Sequence, residues 1–272
     1  MNDSTISSAS NPSLANDMLN KALNETAPTE APRTEVRVPS DGLVALPGGH
    51  ITFDGEVIKT AEVRELNGKD EEAIARVGGG GRSLNTILTR GTVKIGEEVA
   101  TDKLLDGLLA GDRDAILLGI YRATFGDEAK FGGWCDGCKE VREVSVSVTE
   151  DISFTTLSDP LEQREFTVEG RRNTYEVSLP TGITQRELRE NPDRSFAENI
   201  TNLLEGTVLR INGKNVFAKS QVRDLGIADR NLIVEEIAKR APGPKFEDIV
   251  ATCPDCESEV RVPISLGALF RI

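Results

Sequence analysis

Histidine is almost missing from this chain: 272 residues contain one, His50. A Ser-His-Asp or Cys-His constellation would have to be built on that residue. It follows Gly48 and Gly49 and reads as an exposed turn residue, so no catalytic residue is expected and the chain is read as not an enzyme. Aromatic residues make up 4% of the composition, which leaves the core to aliphatic side chains. No apolar run reaches the roughly 18 residues that would suggest a membrane span. The opening residues Met1, Asn2, Asp3 and Ser4 lack the basic and apolar regions of a secretory signal. A cytosolic protein is therefore expected. A basic excess is absent as well: 32 Lys and Arg stand against 45 Asp and Glu, for a net charge of −13 and a pI near 4.8. That disfavours nucleic acid, whose binding requires a basic footprint to displace counterions, and it disfavours anionic membrane surfaces.

Cysteine is scarce but ordered. The four residues form two Cys-x-x-Cys pairs, Cys135/Cys138 and Cys253/Cys256, separated by 118 positions. Other landmarks recur in the same order at slowly rising offsets. Ala61-Glu62-Val63 and Gly68 match Tyr175-Glu176-Val177 and Gly182 at 114. Gly91-Thr92-Val93 matches Gly206-Thr207-Val208 at 115, and Asp112-Arg113 matches Asp229-Arg230 at 117. A strand at Phe53 is paired with one at Phe166. Loop insertions produce such drift, and the pattern predicts an internal duplication. The expected fold class is α+β, with two tandem duplicated lobes, each ending in a zinc knuckle and a short β-hairpin. The boundaries are 1–42 for a flexible N-terminal arm, 43–155 for the first lobe and 156–272 for the second. Each Asp-Arg pair is expected to open a helix with its Asp as N-cap, with Ile116, Leu117 and Ile120 on one face and Ile233, Val234 and Ile237 on the other copy's face. These helices should stop near Gly126 and Gly243, with strands at 141–148 and 260–266 after the cysteines.

A cytosolic Cys-x-x-Cys reads as a metal or redox site more readily than as a structural disulfide. Zinc takes four tetrahedral thiolate or imidazole ligands. With one histidine available, the simplest closed site uses Cys135, Cys138, Cys253 and Cys256 together, one pair from each lobe, related by an approximate two-fold axis. Four thiolates leave no open position for water, so such a zinc is structural. Dithiol redox centres, free buried thiols and separate sites completed by a second chain are the competing readings. Asp136, Glu140 and Glu143 outnumber Lys139 and Arg142 around the first pair, and Asp255, Glu257 and Glu259 outnumber Arg261 around the second. That argues against a nucleic-acid-binding ribbon.

Residues 1–42 are rich in Ser, Asn, Thr, Ala and Pro, the composition of a flexible arm. Within it Leu14, Met18, Leu19 and Leu23 lie at the spacing of a short amphipathic helix able to dock on a neighbouring subunit. The run Gly78 to Gly81 lacks the Lys-Ser/Thr of a phosphate loop and reads as a flexible loop. The pairs Glu71/Glu72, Glu97/Glu98 and Glu235/Glu236 are sequence neighbours that diverge on a helix and read as solvated faces.

The segments Ala61 to Glu72, Leu108 to Leu118, Arg122 to Gly126, and Pro242-Gly243-Pro244 followed by Cys253-Pro254-Asp255-Cys256 together resemble the baseplate hub or hub-assembly proteins of contractile-tailed bacteriophages. The likeness covers residues 43–272. It implies a non-enzymatic structural or assembly role in the tail baseplate and other tail proteins as partners. It also implies a location in the host cytoplasm during assembly and then in the virion tail. A cytosolic redox protein and a zinc-ribbon adaptor are the alternatives. In this chain Lys139 and Glu257 follow the second cysteines, where a knuckle ordinarily has glycine.

Overall fold

The computed structural model describes residues 42–272 apart from 192 and 248. The expected arm and its Leu14 to Leu23 helix lie outside the described residues. The architecture is mixed α+β and forms one unit. The first sheet is an antiparallel meander of β1 (Leu43–Ile51), β2 (Val57–Val63), β3 (Thr92–Ile95) and β4 (Glu98–Val99). Helices α1 (Gly68–Arg76) and α2 (Gly80–Gly91) are inserted between β2 and β3. Then come α3 (Asp102–Gly107), α4 (Ala110–Phe125) and the long hairpin β5 (Glu128–Cys135) and β6 (Glu140–Ser147). Strand β7 (Ser153–Thr155) follows.

The order then recurs. Strands β8 (Glu165–Glu169) and β9 (Thr174–Ser178) precede helices α5 (Gly182–Glu190) and α6 (Phe196–Thr207). Strands β10 (Val208–Ile211) and β11 (Lys214–Asn215) complete a second four-stranded meander. Helices α7 (Lys219–Arg223) and α8 (Ile227–Arg240) follow, then β12 (Gly243–Lys245) and the short hairpin β13 (Val250–Thr252) and β14 (Glu259–Arg261). A final helix, α9 (Leu266–Phe270), closes the chain.

The correspondence extends to backbone detail. Both meanders carry an irregularity at the same place, between Glu62 and Val63 opposite β3 and between Val208 and Arg210 opposite β9. The amide of Gly96 donates to Thr60 O, and that of Asn212 donates to Thr174 O. Gly96 and Asn212 both have positive φ, 58° and 51°. Gly96 and Asn212 set the offset at 116 here, against 114 for their acceptors. The Gly-Thr-Val match at 115 is thus one residue out of register: Thr92 corresponds to Val208, the residue that starts each third strand.

The helices obey their local chemistry, with corrections. Asn67 caps α1 by accepting from the amides of Lys69 and Asp70. Ser195 caps α6 in a reciprocal box with Glu198. Asp112 and Asp229 are not N-caps; Leu109 and Gly226 hold those positions. Both acids sit in the first turn, where the helix dipole favours negative charge, and each accepts an amide from its own half's hairpin. Gly78 to Gly81 is not a free loop, because Gly80 and Gly81 open α2. Helix α4 stops at Gly126 (φ 89°) as expected, whereas α8 stops at Ala241 and Gly243 lies in β12. Phe53 lies in the turn between β1 and β2, fully exposed, not in a strand. The 260–266 strand ends at Arg261, yet Val260, Val262 and Ile264 keep burying alternate residues until Ser265 caps α9, whose first residue Leu266 is buried too.

The cores do not follow the sequence halves. One core gathers Val44, Val63, Ile87, Leu88, Ile116, Leu117 and Ile120 with Val144 and Val146 of β6. Ile249, Cys253, Val260, Val262, Leu266 and Leu269, from the end of the chain, belong to the same core. A second holds Tyr175, Val177, Leu204, Val222, Ile233 and Ile237, and a small third joins Leu109 to Leu157 and Leu179. Thus the last 24 residues pack as part of the first half.

A candidate four-cysteine metal centre

Each Cys-x-x-Cys forms the turn of a hairpin. The amide of Lys139 donates to Cys135 O at 2.8 Å, and that of Glu257 donates to Cys253 O at 3.0 Å. Lys139 and Glu257 both take φ 59°. The left-handed position expected to need glycine is therefore formed without it, at a cost of about 1–2 kcal/mol for each residue. Replacing either exposed residue by glycine should stabilise the chain by about 0.5–1 kcal/mol, once the freer unfolded chain is subtracted. Thermal melts of Lys139→Gly and Glu257→Gly check this, and unchanged or lower midpoints in both would refute the strain. The amide of Cys138 points at Cys135 Sγ, 3.4 Å away.

The two hairpins bring all four sulfurs together. Cys135 Sγ lies 3.4 Å from Cys256 Sγ, and Cys138 Sγ lies 3.8 Å from Cys253 Sγ. All four sulfurs are within 4.8 Å of one another. Metal–sulfur bonds of about 2.3 Å in a tetrahedron place sulfurs about 3.8 Å apart. A disulfide requires about 2.05 Å, and all four cysteines are free. The donor set therefore fits a single metal ion. Both close pairs join one hairpin to the other.

Burial grades across the site. Cys135 and Cys253 are buried, Cys138 is half-buried and Cys256 is exposed. Gly137 is packed so closely that an added Cβ would meet Cys256 Sγ at 2.7 Å. Arg142 of β6 pairs with Asp255 of the opposite hairpin at 2.9 Å. Hydrogen bonding with Ser258 draws the Cys256 thiol down to about 6, while its contact with Cys256 first of all pushes Cys138 up to about 12.

The other singled-out residues are elsewhere. His50 is half-buried in β1, opposite Ile58, not in an exposed loop. Burial, and then the Arg164 charge, hold its imidazole below the ordinary value. It is not part of the cysteine group. Glu71 and Glu72 are exposed on α1, Glu97 on the β3–β4 turn and Glu98 in β4, and Glu235 and Glu236 pair with Lys239.

The repeated Asp-Arg pairs turn out to be structural in both halves. Asp112 accepts from the amide of Gly48 at 2.6 Å, and Asp229 accepts from the amide of Arg171 at 3.0 Å and the Tyr175 hydroxyl at 2.7 Å. Burial pushes the Asp112 carboxyl up to about 6. Arg113 donates to Leu105 O, Asp106 and Asn85. Arg230 donates to Val222 O and Thr201, at the offsets of 117 and 116 that these elements carry. Sequence reasoning saw the pairs but not this arrangement, because its partners lie up to 64 residues away.

No described helix is long and apolar enough to cross a membrane. Comparison with known proteins finds no family model, no curated protein and no solved structure that matches this chain.

Proposed function

We propose that the chain is a non-enzymatic structural or assembly component of a phage tail baseplate, built from a duplicated unit and stapled by one structural zinc. The observation that carries the zinc reading is the meeting of four free thiols from two hairpins at tetrahedral spacing. Four thiolates close the coordination shell, leaving the metal no site for substrate. The duplication is supported by the recurring element order, the shared sheet irregularity and the paired Asp-Arg networks. A dithiol redox role is disfavoured because the close sulfur pairs join different Cys-x-x-Cys turns. The baseplate assignment rests on the sequence resemblance of residues 43–272, and the partners are other tail proteins. It is tested by quantitative mass spectrometry of purified tails and of baseplate intermediates. The expected result is a fixed copy number relative to baseplate proteins in one of the two fractions. Absence from both overturns it.

A further inference from the structure

The cysteine hairpins meet as equivalents, but the rest of the two halves do not. Helix α5 of the second half docks on α2, α3 and α4 of the first. The amide of Gly182 donates to Leu108 O at 2.8 Å, and that of Ala110 donates to Pro180 O at 2.9 Å. Gln185 donates to Ala110 O and Asp114, Arg186 pairs with Asp106 at 2.5 Å, and Arg189 pairs with Asp114 at 2.7 Å. Gly81 is pressed against the Arg189 backbone. This is a head-to-tail contact: different surfaces of the two halves meet. Such a contact used once leaves one copy of each surface unmatched among the described residues.

The unmatched surfaces can be named from the offsets. The counterpart of α5 is α1, which presents Glu71, Glu72 and Ala75 where α5 has Gln185, Arg186 and Arg189. The counterpart of the covered face is formed by α6, α7 and α8. Arg230 ties these helices together through Ala197 O, Thr201 and Val222 O. Next to those anchors lie Phe196, 79% exposed, and Ile227, 77% exposed, with exposed Arg223 between them in sequence. Phe196 and Ile227 open α6 and α8, and Ile227 takes the place of Ala110.

We propose that this α6–α8 face binds α1 of a second copy of this chain, repeating between molecules the contact that α5 makes within one. Complementarity identifies the occupant. The Arg186–Asp106 pair becomes Glu72 facing Arg223, with the charge reversed on both sides. The tightest point does not carry over: a Cβ on Gly81 would meet the Arg189 backbone and Ala197 has that Cβ, so α1 sits further from α6 than α5 does from α2. Each molecule carries one surface of each kind, so the contact generates a ring or an open filament. The inference rests on the structural correspondence of the halves, not on the zinc or baseplate reading.

Sedimentation velocity of the full chain over a wide concentration range tests it, alongside amide exchange at the two ends of that range. Self-association is expected, with protection of 68–76 and of 196–230 rising together with concentration. Arg223→Glu and Glu72→Arg should each weaken association about tenfold, the order of one close charge pair, and the double variant should recover most of it. Ile227→Asp should weaken it further, with an unchanged thermal midpoint as the folding control. A chain that stays monomeric, or two single variants whose double does not recover, overturns the proposal. So does protection of 196–230 that is the same at all concentrations.

Discussion

Purified protein should contain one zinc per chain, and Cys253→Ser should remove it and lower the thermal midpoint by about 10 °C. The size of the effect follows from where the site sits. Zinc in small folding units contributes about 10–16 kcal/mol, but here both hairpins are also held by apolar contacts. Val144, Val146, Val260 and Val262 lie in one core with Cys135 and Cys253. Losing the metal should therefore cost about 3–5 kcal/mol, and 1 kcal/mol shifts a chain of this class by about 2–4 °C. The loss should also be local. Amide exchange should rise over 128–147 and 249–270, which share the first core, and stay unchanged over 196–240, which belongs to the second. Cys135→Ser should behave in the same way, because it removes a ligand from the opposite hairpin of the same site. Metal-free wild-type protein, or zinc retained by both variants, would refute the shared site. Loosening confined to 196–240 would refute its placement.

The cysteine group was legible because its signal is count and chemistry. Four thiols in two equal turns, with one histidine in the chain, leave few ways to complete a metal site. The alternation in 141–148 and 260–266 was legible because burial in a strand has period two, even where Val262 to Ser265 forms no ladder. What escaped depends on contacts between distant residues. Asp112 and Asp229 look like helix caps locally, but their carboxylates are claimed by amides 64 and 58 residues away. The Gly-Thr-Val repeat was read one residue out because a short motif has no ladder to fix its register, whereas the pairing of Glu62 with Lys94 and of Glu176 with Arg210 does. Nor could an offset tell that the final hairpin and α9 join the first core. For α9 that depends on Phe270 packing edge to face against Tyr121 and Phe125. The lobe boundary drawn at 155 and 156 is crossed again by β7 pairing with β12, Phe154 opposite Pro244.

The two equivalent arginines should differ sharply in their importance. Arg113 is 3% exposed, because α5 lies over it so closely that a Cβ on Gly182 would collide with its guanidinium. Arg230 makes matching hydrogen bonds from a half-exposed position, with no helix among the described residues in the place of α5. Arg113→Met leaves Asn85 Oδ1 without its donor inside protein, Leu105 O with the Leu108 amide alone and Asp106 with Arg186 alone. Stranding such groups costs about 3–5 kcal/mol, a fall of about 6–20 °C. Arg230→Met leaves Val222 O and Thr201 near solvent, and water replaces what is lost, at about 1 kcal/mol or 2–4 °C. Dilute thermal melts of both variants measure the difference. Equal losses would mean that the helix over Arg113 contributes little, and the ranking would reverse if Arg230 were the better covered of the two. At concentrations where α1 of a second molecule covers α6–α8, Arg230 becomes the counterpart of Arg113 in burial as well as in bonding. The cost of Arg230→Met should then rise with protein concentration while that of Arg113→Met stays constant.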